Sequence, residues 1–183
     1  AQSGGPSAAI NATVAGVGER CMTSGQVGRT YCARHGIKGV IDGKYIDLTE
    51  ELASPERLEL LCHTPAAALG SCRLKLNNAD EEQLGQIVQA LLEREIGYFV
   101  YIGGNDSMDT VHKLSDYIRK HNIRGLSVMG APKTIDNGLP VTDHCPGFGS
   151  AAKYIAATFS EIVRDCEVYD IPAVTIVEVM GRN

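Results

Sequence analysis

Tyr98-Phe-Val-Tyr-Ile-Gly-Gly-Asn-Asp-Ser-Met108 decides the fold. Tyr98 to Ile102 are apolar or aromatic without interruption, the pattern of a strand buried in a parallel sheet. Gly103 and Gly104 end that run. From Asp106 the spacing turns helical, with Met108, Val111, Leu114 and Ile118 on one face. The two glycines and Asn105, Asp106 and Ser107 therefore stand where a strand's carboxyl end meets a helix's amino end. Free backbone N–H groups and the helix dipole favour an anion there. Glycine adds no Cβ to keep phosphate oxygens from the backbone.

Similar corners recur along the chain. Ser3-Gly4-Gly5-Pro6-Ser7 is a glycine-rich turn, with Pro6 suited to a first helical position and Ile10, Val14, Val17 and Cys21 on the helix face that follows. It is either a phosphate cradle or an ordinary tight turn, since short glycine motifs are unspecific. Asp80 to Glu95 is the clearest helix, with Leu84, Ile87, Val88, Leu91 and Leu92 as its buried stripe. Gly125 to Gly130 reads as the next strand. The loop Ala131–Gly138 after it holds Lys133, Thr134 and Asp136, able to neutralise phosphate charge, donate to a phosphate oxygen and accept a hydroxyl proton. A turn with surface polar residues is the alternative, but the place after a buried strand favours chemistry. Gly147 and Gly149 open a long helix with Ala152, Ile155, Ala156, Phe159, Ile162, Val163 and Cys166 marking its buried face. Ala173 to Val179 reads as a last buried strand, leading into Met180-Gly181-Arg182. Helices alternate with strands, which predicts an α/β fold, a Rossmann-like three-layer sandwich with a mostly parallel sheet. Parallel strands bring the turns at 3–7, 103–107, 130–138 and 180–182 to one sheet edge, where one cleft can collect them.

Other segments say less. Thr30 to Ala33 is a short strand, Ile37 to Ile41 one helical turn, Asp42-Gly43 a turn, and residues 44–54 show no clear pattern. Ser54-Pro55-Glu56 starts a helix reaching about Cys62. Leu69-Gly-Ser-Cys-Arg73 is a loop whose arginine is either a solvated surface group or a guanidinium fork for phosphate. His144 and Cys145 are adjacent without matching ligands, which points to a structural role.

Composition narrows the classes. The chain has 183 residues, 44 % apolar, with a net charge of −5 and no basic run, against a nucleic-acid surface. An anionic ligand must then find its positive partners locally. Six cysteines (21, 32, 62, 72, 145 and 166) show no C-x-x-C spacing and read as reduced core thiols of a cytoplasmic protein. No signal peptide or 18-residue apolar run suggests a membrane. A G-x-G-x-x-G followed by an acidic residue, expected of a dinucleotide binder, is also missing. The chain opens on a turn whose strand is missing and closes at a strand exit. We therefore expect a piece of a longer enzyme, residues 1–183 forming its N-terminal donor-binding domain without the first strand and the C-terminal part.

Over essentially its whole length the sequence resembles the phosphofructokinases. The resemblance is carried in the family's order by Ser3-Gly-Gly, Leu69-Gly-Ser-Cys-Arg73, Gly103-Gly-Asn-Asp-Ser107, Pro132-Lys-Thr-Ile-Asp136, Gly147-Phe-Gly-Ser-Ala-Ala-Lys153 and Glu178-Val-Met-Gly-Arg182. It implies phosphoryl transfer to the 1-hydroxyl of fructose 6-phosphate, from ATP or pyrophosphate, with Mg²⁺, in a homodimer or homotetramer of glycolysis. Asp136 then resembles the family's general base. Thr134 and Ile135 stand beside it as substrate contacts, and Met180, Gly181 and Arg182 resemble sugar-phosphate contacts. Gly4, Arg73, Gly104, Asn105 and Ser107 resemble the donor-phosphate site.

Two positions bear on the donor. ATP users usually have glycine where this chain has Asp106 and Lys133, whereas pyrophosphate users typically have Asp and Lys. A carboxylate at 106 fills the space, and repels the charge, of an ATP α-phosphate. A lysine at 133 can instead hold a phosphate and its leaving group. The resemblance thus favours pyrophosphate, with an ATP-dependent enzyme and a non-catalytic homologue as the alternatives. Three departures stand out: Asn105 where Asp is common and linked to Mg²⁺, Gly138 where Asp is frequent, and Ala173 where ATP users often present Arg to a neighbouring subunit. An amide is a weaker ligand for a hard cation than a carboxylate. Either Asp106 takes over as ligand, or the metal rides on the pyrophosphate oxygens.

Overall fold

A computed structural model describes residues 1–74, 76 and 81–179. The chain divides into two compact units, Ala1–Lys133 and Thr134–Asn183.

The first unit is built around β3 (Tyr98–Gly103). It pairs in parallel with β4 (Ser127–Pro132), from Tyr98–Ser127 to Gly103–Pro132. Residues 1–3 lie along β3 as well. The Ala1 amino group donates to Val100 O at 3.0 Å, Ile102 N to Ala1 O at 2.9 Å, and Ser3 N to Ile102 O at 2.8 Å, with a parallel bridge between Gln2 and Ile102. Successive strand side chains point to opposite faces, and here they divide the core in two. Phe99 and Tyr101 pack with Leu84, Ile87, Val88 and Leu91 of α5 (Glu81–Glu93), Leu114 of α6 (Asn105–Lys120), and Ile37 and Val40 of α2 (Gly36–Ile41). Val100 and Ile102 pack instead with Ile10 and Val14 of α1 (Ala8–Thr23), Leu48 of α3 (Leu48–Glu51), and Leu58 and Leu61 of α4 (Pro55–His63). This gives the three expected layers, with the sheet in the middle.

β1 (Tyr31–Ala33) and β2 (Tyr45–Asp47) form a separate antiparallel pair. β2 and α3 lie in the stretch that showed no pattern. A three-residue strand is too short to display alternation, and α3 is held by its cap, Asp47 Oδ1 accepting from Thr49 N at 2.9 Å.

Several expectations need correction. β4 runs two residues past Gly130, so Ala131 and Pro132 belong to the strand, because the ladder with β3 continues to Gly103. Leu92 is exposed at the margin of the α5 stripe. In the second unit α7 (Phe148–Cys166) forms as expected, but none of its residues is buried. An apolar periodicity declares a face without supplying a surface to cover it. Residues 173–179 form no strand, and Val174 and Ile176 are 88 % and 90 % exposed. β-propensity needs a neighbouring strand to become a ladder. All six cysteines are free, but only Cys32 and Cys145 are buried; the other four are half-buried and not core residues. Among the described residues no helix is long and apolar enough to cross a membrane.

Two outcomes test this packing. A Cβ on Gly103 would stand 2.6 Å from Ser107 Cβ and 2.8 Å from Ser3 O. Gly103→Ala is therefore expected to cost about 1–3 kcal/mol, which calorimetry should show as a fall in Tm of roughly 2–4 °C per kcal/mol; an unchanged Tm would contradict the packing at this corner. Burial pushes the Tyr101 phenol up to about 12. The fold favours its neutral form, so that contribution is intact below the ordinary value of 10.0 and is lost as pH climbs from there through about 12. In an alkaline absorbance titration of the native protein, Tyr101→Phe should remove a late-ionising tyrosine and leave the earlier ones in place. Loss of an early one instead would show that Tyr101 is solvated.

Candidate functional site

The site in the first unit follows from the strand register. Ser3 leaves the ladder beside Ile102, which brings Gly4 against Gly104. A Cβ on Gly4 would lie 3.3 Å from Gly104 N and 3.6 Å from Lys133 Nζ, and its φ of +87° is a left-handed value that side chains resist. Gly104 is extended and precedes the first turn of α6, where Asn105 and Asp106 are exposed and Ser107 is buried against Gly103. Lys133 follows β4; its N–H donates to Gly103 O at 2.9 Å. Its side chain turns inward, 5 % exposed, and the ammonium donates to Gly5 O. A buried ammonium is costly without such partners. It carries three protons, so a carbonyl partner does not prevent it from meeting an anion.

A second segment is tied to the same turn. Asn11 accepts from Ala68 N at 3.0 Å and donates to Thr64 O at 2.8 Å. Gln2, with its amide oriented by its neighbours, accepts from Leu69 N at 2.8 Å. Ser71 Oγ donates to Gly4 O, and Ser3 Oγ to Cys72 O, both at 2.9 Å. Burial pushes the Cys72 thiol up, but the N–H groups of Lys38, Leu74 and Ile37, with the Ser3 hydroxyl, outweigh it and leave the thiol below its usual range. Arg73 follows directly and is exposed.

The second unit carries the Asp136 loop. Thr134 N donates to Pro146 O at 2.9 Å, and Thr134 Oγ1 accepts from Asp136 N at 3.1 Å. Thr134, Ile135 and Asp136 are half-buried, and Gly138 is exposed. Asn137 Oδ1 accepts from Cys145 N at 2.8 Å, and Leu139 N donates to Cys145 Sγ at 3.3 Å. Cys145 is thus a buried fastener of this loop, the structural role that the lack of matching ligands pointed to. Met180, Gly181 and Arg182 lie outside the described residues.

Of the residues named from sequence, then, Gly4, Gly104 and Lys133 are brought together. The segment bearing Arg73 is tied to the same turn through Ser71 and Cys72, while Arg73 itself is exposed. Among the described residues no group of three His, Cys, Asp or Glu side chains could hold a metal by itself. One exposed carboxylate, Asp106, next to the Asn105 amide suits an ion held mainly by its ligand's phosphate oxygens, as Mg²⁺ commonly is. The sequence assigns no role to the Gln2, Ser3, Asn11 and Ser71 side chains, although Ser3 and Ser71 lie within two of the family-like segments. Their partners are 53 to 69 residues away, so no local pattern marks them.

The whole chain, residues 1–183, matches the family model described as Phosphofructokinase. It is 43 % identical over 183 residues to the pyrophosphate–fructose 6-phosphate 1-phosphotransferase of Rhodospirillum rubrum, covering 100 % of this chain and 43 % of that protein. The pyrophosphate-dependent phosphofructokinase structure from Nitrosospira multiformis superposes with a TM-score of 0.80 at 42 % identity, over 90 % of this chain and 40 % of that one. An ATP-dependent 6-phosphofructokinase from Ligilactobacillus salivarius is 30 % identical, over 99 % of this chain and 51 % of its own length. The chain thus spans less than half the length of the pyrophosphate-dependent relatives it matches. A parallel α/β sheet with glycine turns gathered at its carboxyl edge, and a family match from the first residue to the last, make this chain a member of the phosphofructokinase family.

Proposed function

We propose that the protein carrying this chain transfers a phosphoryl group from pyrophosphate to the 1-hydroxyl of fructose 6-phosphate, giving fructose 1,6-bisphosphate, in the cytoplasm and as a homo-oligomer. The observation that carries the reading is Lys133, buried beside Gly4 with its ammonium on Gly5 O. A cation held there can meet a phosphate and stabilise the charge that collects on the leaving group. Asp106 supports the same donor. It stands exposed in the first turn of α6, and its charge would repel a longer polyphosphate chain bound there.

The other roles follow from chemistry. Gly4 and Gly104 let phosphate oxygens approach the backbone, with Ser107 behind them, and Arg73 offers a planar fork to the donor. Asp136 takes the proton of the attacking hydroxyl; Thr134, whose hydroxyl accepts from the Asp136 N–H, shapes the loop that carries it. Thr134 and Ile135 contact the sugar, and Met180, Gly181 and Arg182 are assigned its 6-phosphate. Bound Mg²⁺, which Asp106 and Asn105 would help hold, would neutralise charge on the donor oxygens. The identities support this donor, the pyrophosphate-dependent enzymes of Rhodospirillum rubrum and Nitrosospira multiformis standing at 43 % and 42 % and two ATP-dependent ones at 30 % and 32 %.

Asp136→Asn in the full-length protein should lower kcat by about 10²–10⁴-fold and leave the KM for fructose 6-phosphate near wild type; steady-state kinetics with undiminished kcat would remove Asp136 from the role. The Asp106→Gly, Lys133→Gly double variant should gain measurable ATP affinity by calorimetry while losing pyrophosphate turnover. If ATP binding stays undetectable in it, these two residues do not select the donor.

A further inference from the structure

The loop that carries Arg73 and the glycine turn hold each other by a reciprocal pair of side-chain bonds. Ser71 Oγ donates to Gly4 O at 2.9 Å, and Ser3 Oγ donates to Cys72 O at 2.9 Å. Ser3 is 4 % exposed, so water competes little for its bond. Cys72 Sγ lies 3.7 Å from Ser3 Oγ and faces Gly36, where a Cβ would come 3.0 Å from the sulfur, so the loop is seated on this side too. Further back, Gln2 and Asn11 hold Leu69 and Ala68.

These bonds act on peptide planes. A peptide unit is planar and trans, so its carbonyl and the next N–H point in opposite directions. Ser71 draws Gly4 O to one side and thereby aims the Gly5 N–H to the other. The Lys133 ammonium fixes the following plane through Gly5 O. Glycine needs such restraint more than other residues, because nothing in its own geometry limits the turn.

We propose that Ser71 is a positioning residue of the donor-phosphate site: its hydroxyl sets the Gly4–Gly5 peptide plane and, with Ser3, locks the glycine turn to the segment bearing Arg73. The proposal rests on reading Gly4, Gly104 and Arg73 as donor-phosphate groups. Without the hydroxyl, the turn and the arginine lose their fixed relation. The donor then has to order both as it binds, whereas the sugar phosphate does not.

The test is steady-state kinetics of the full-length protein with pyrophosphate and fructose 6-phosphate varied in turn, with Tm measured alongside. Ser71→Ala should raise the KM for pyrophosphate about three- to tenfold, the scale of one hydrogen bond, and leave the KM for fructose 6-phosphate and the Tm near wild type. Ser71→Thr, which keeps the hydroxyl, should recover most of the loss, and Ser3→Ala should reproduce it from the other side. The inference is overturned if Ser71→Ala leaves pyrophosphate KM unchanged, if both KM values rise alike with a fall in Tm, or if Thr is no better than Ala. In each of these cases wild-type turnover with pyrophosphate leaves the donor reading standing. A wild-type protein that does not use pyrophosphate overturns that reading and this inference with it.

Discussion

The parallel pairing of residues 1–3 with β3 is the constraint on which the rest of the first unit depends. Its hydrogen bonds are individually worth about 1 kcal/mol, so the register matters more than the energy. A slip of one residue would turn every side chain of the segment to the other face. Gln2 and Ser3, at 0 % and 4 % exposed, would leave the carbonyls and N–H groups they serve, and Gly4 would no longer lie against Gly104. The bonds from Leu69 N to Gln2 and from Ser3 Oγ to Cys72 O make such a slip costly.

The electrostatics follow from this placement. A chain with a net charge of −5 offers an anion no general attraction. What favours negative charge here is local: the amino end of α6, peptide N–H groups laid bare by glycine, and the buried Lys133 ammonium. Asp106 sits well with the helix dipole yet opposes further anionic charge nearby. On the proposed reading, this local attraction beside the Asp106 charge is what would favour a short diphosphate over a nucleoside triphosphate.

How much of this was legible in the sequence depends on the range of the signal. β3 and α6 could be read because a continuous apolar run gives way to helical spacing over two glycines, all within a few residues. The start of α4 was legible from Ser54, whose hydroxyl accepts from Arg57 N at the helix cap. The end of β4 was not, because its partner strand sets where the ladder stops. The apolar face of α7 was visible as a pattern, but whether it is covered depends on what packs there. Ser3, Ser71, Gln2 and Asn11 are ordinary polar residues on the page of a sequence. Only the fold brings their partners within reach.

The most direct measurement is a crystal structure of the full-length protein with a non-hydrolysable pyrophosphate analogue. Phosphate oxygens should lie within hydrogen-bonding distance, about 3 Å, of Lys133 Nζ and of the backbone N–H groups at the Gly4 and Gly104 turns. An analogue bound elsewhere, touching neither these turns nor Lys133, would contradict this placement.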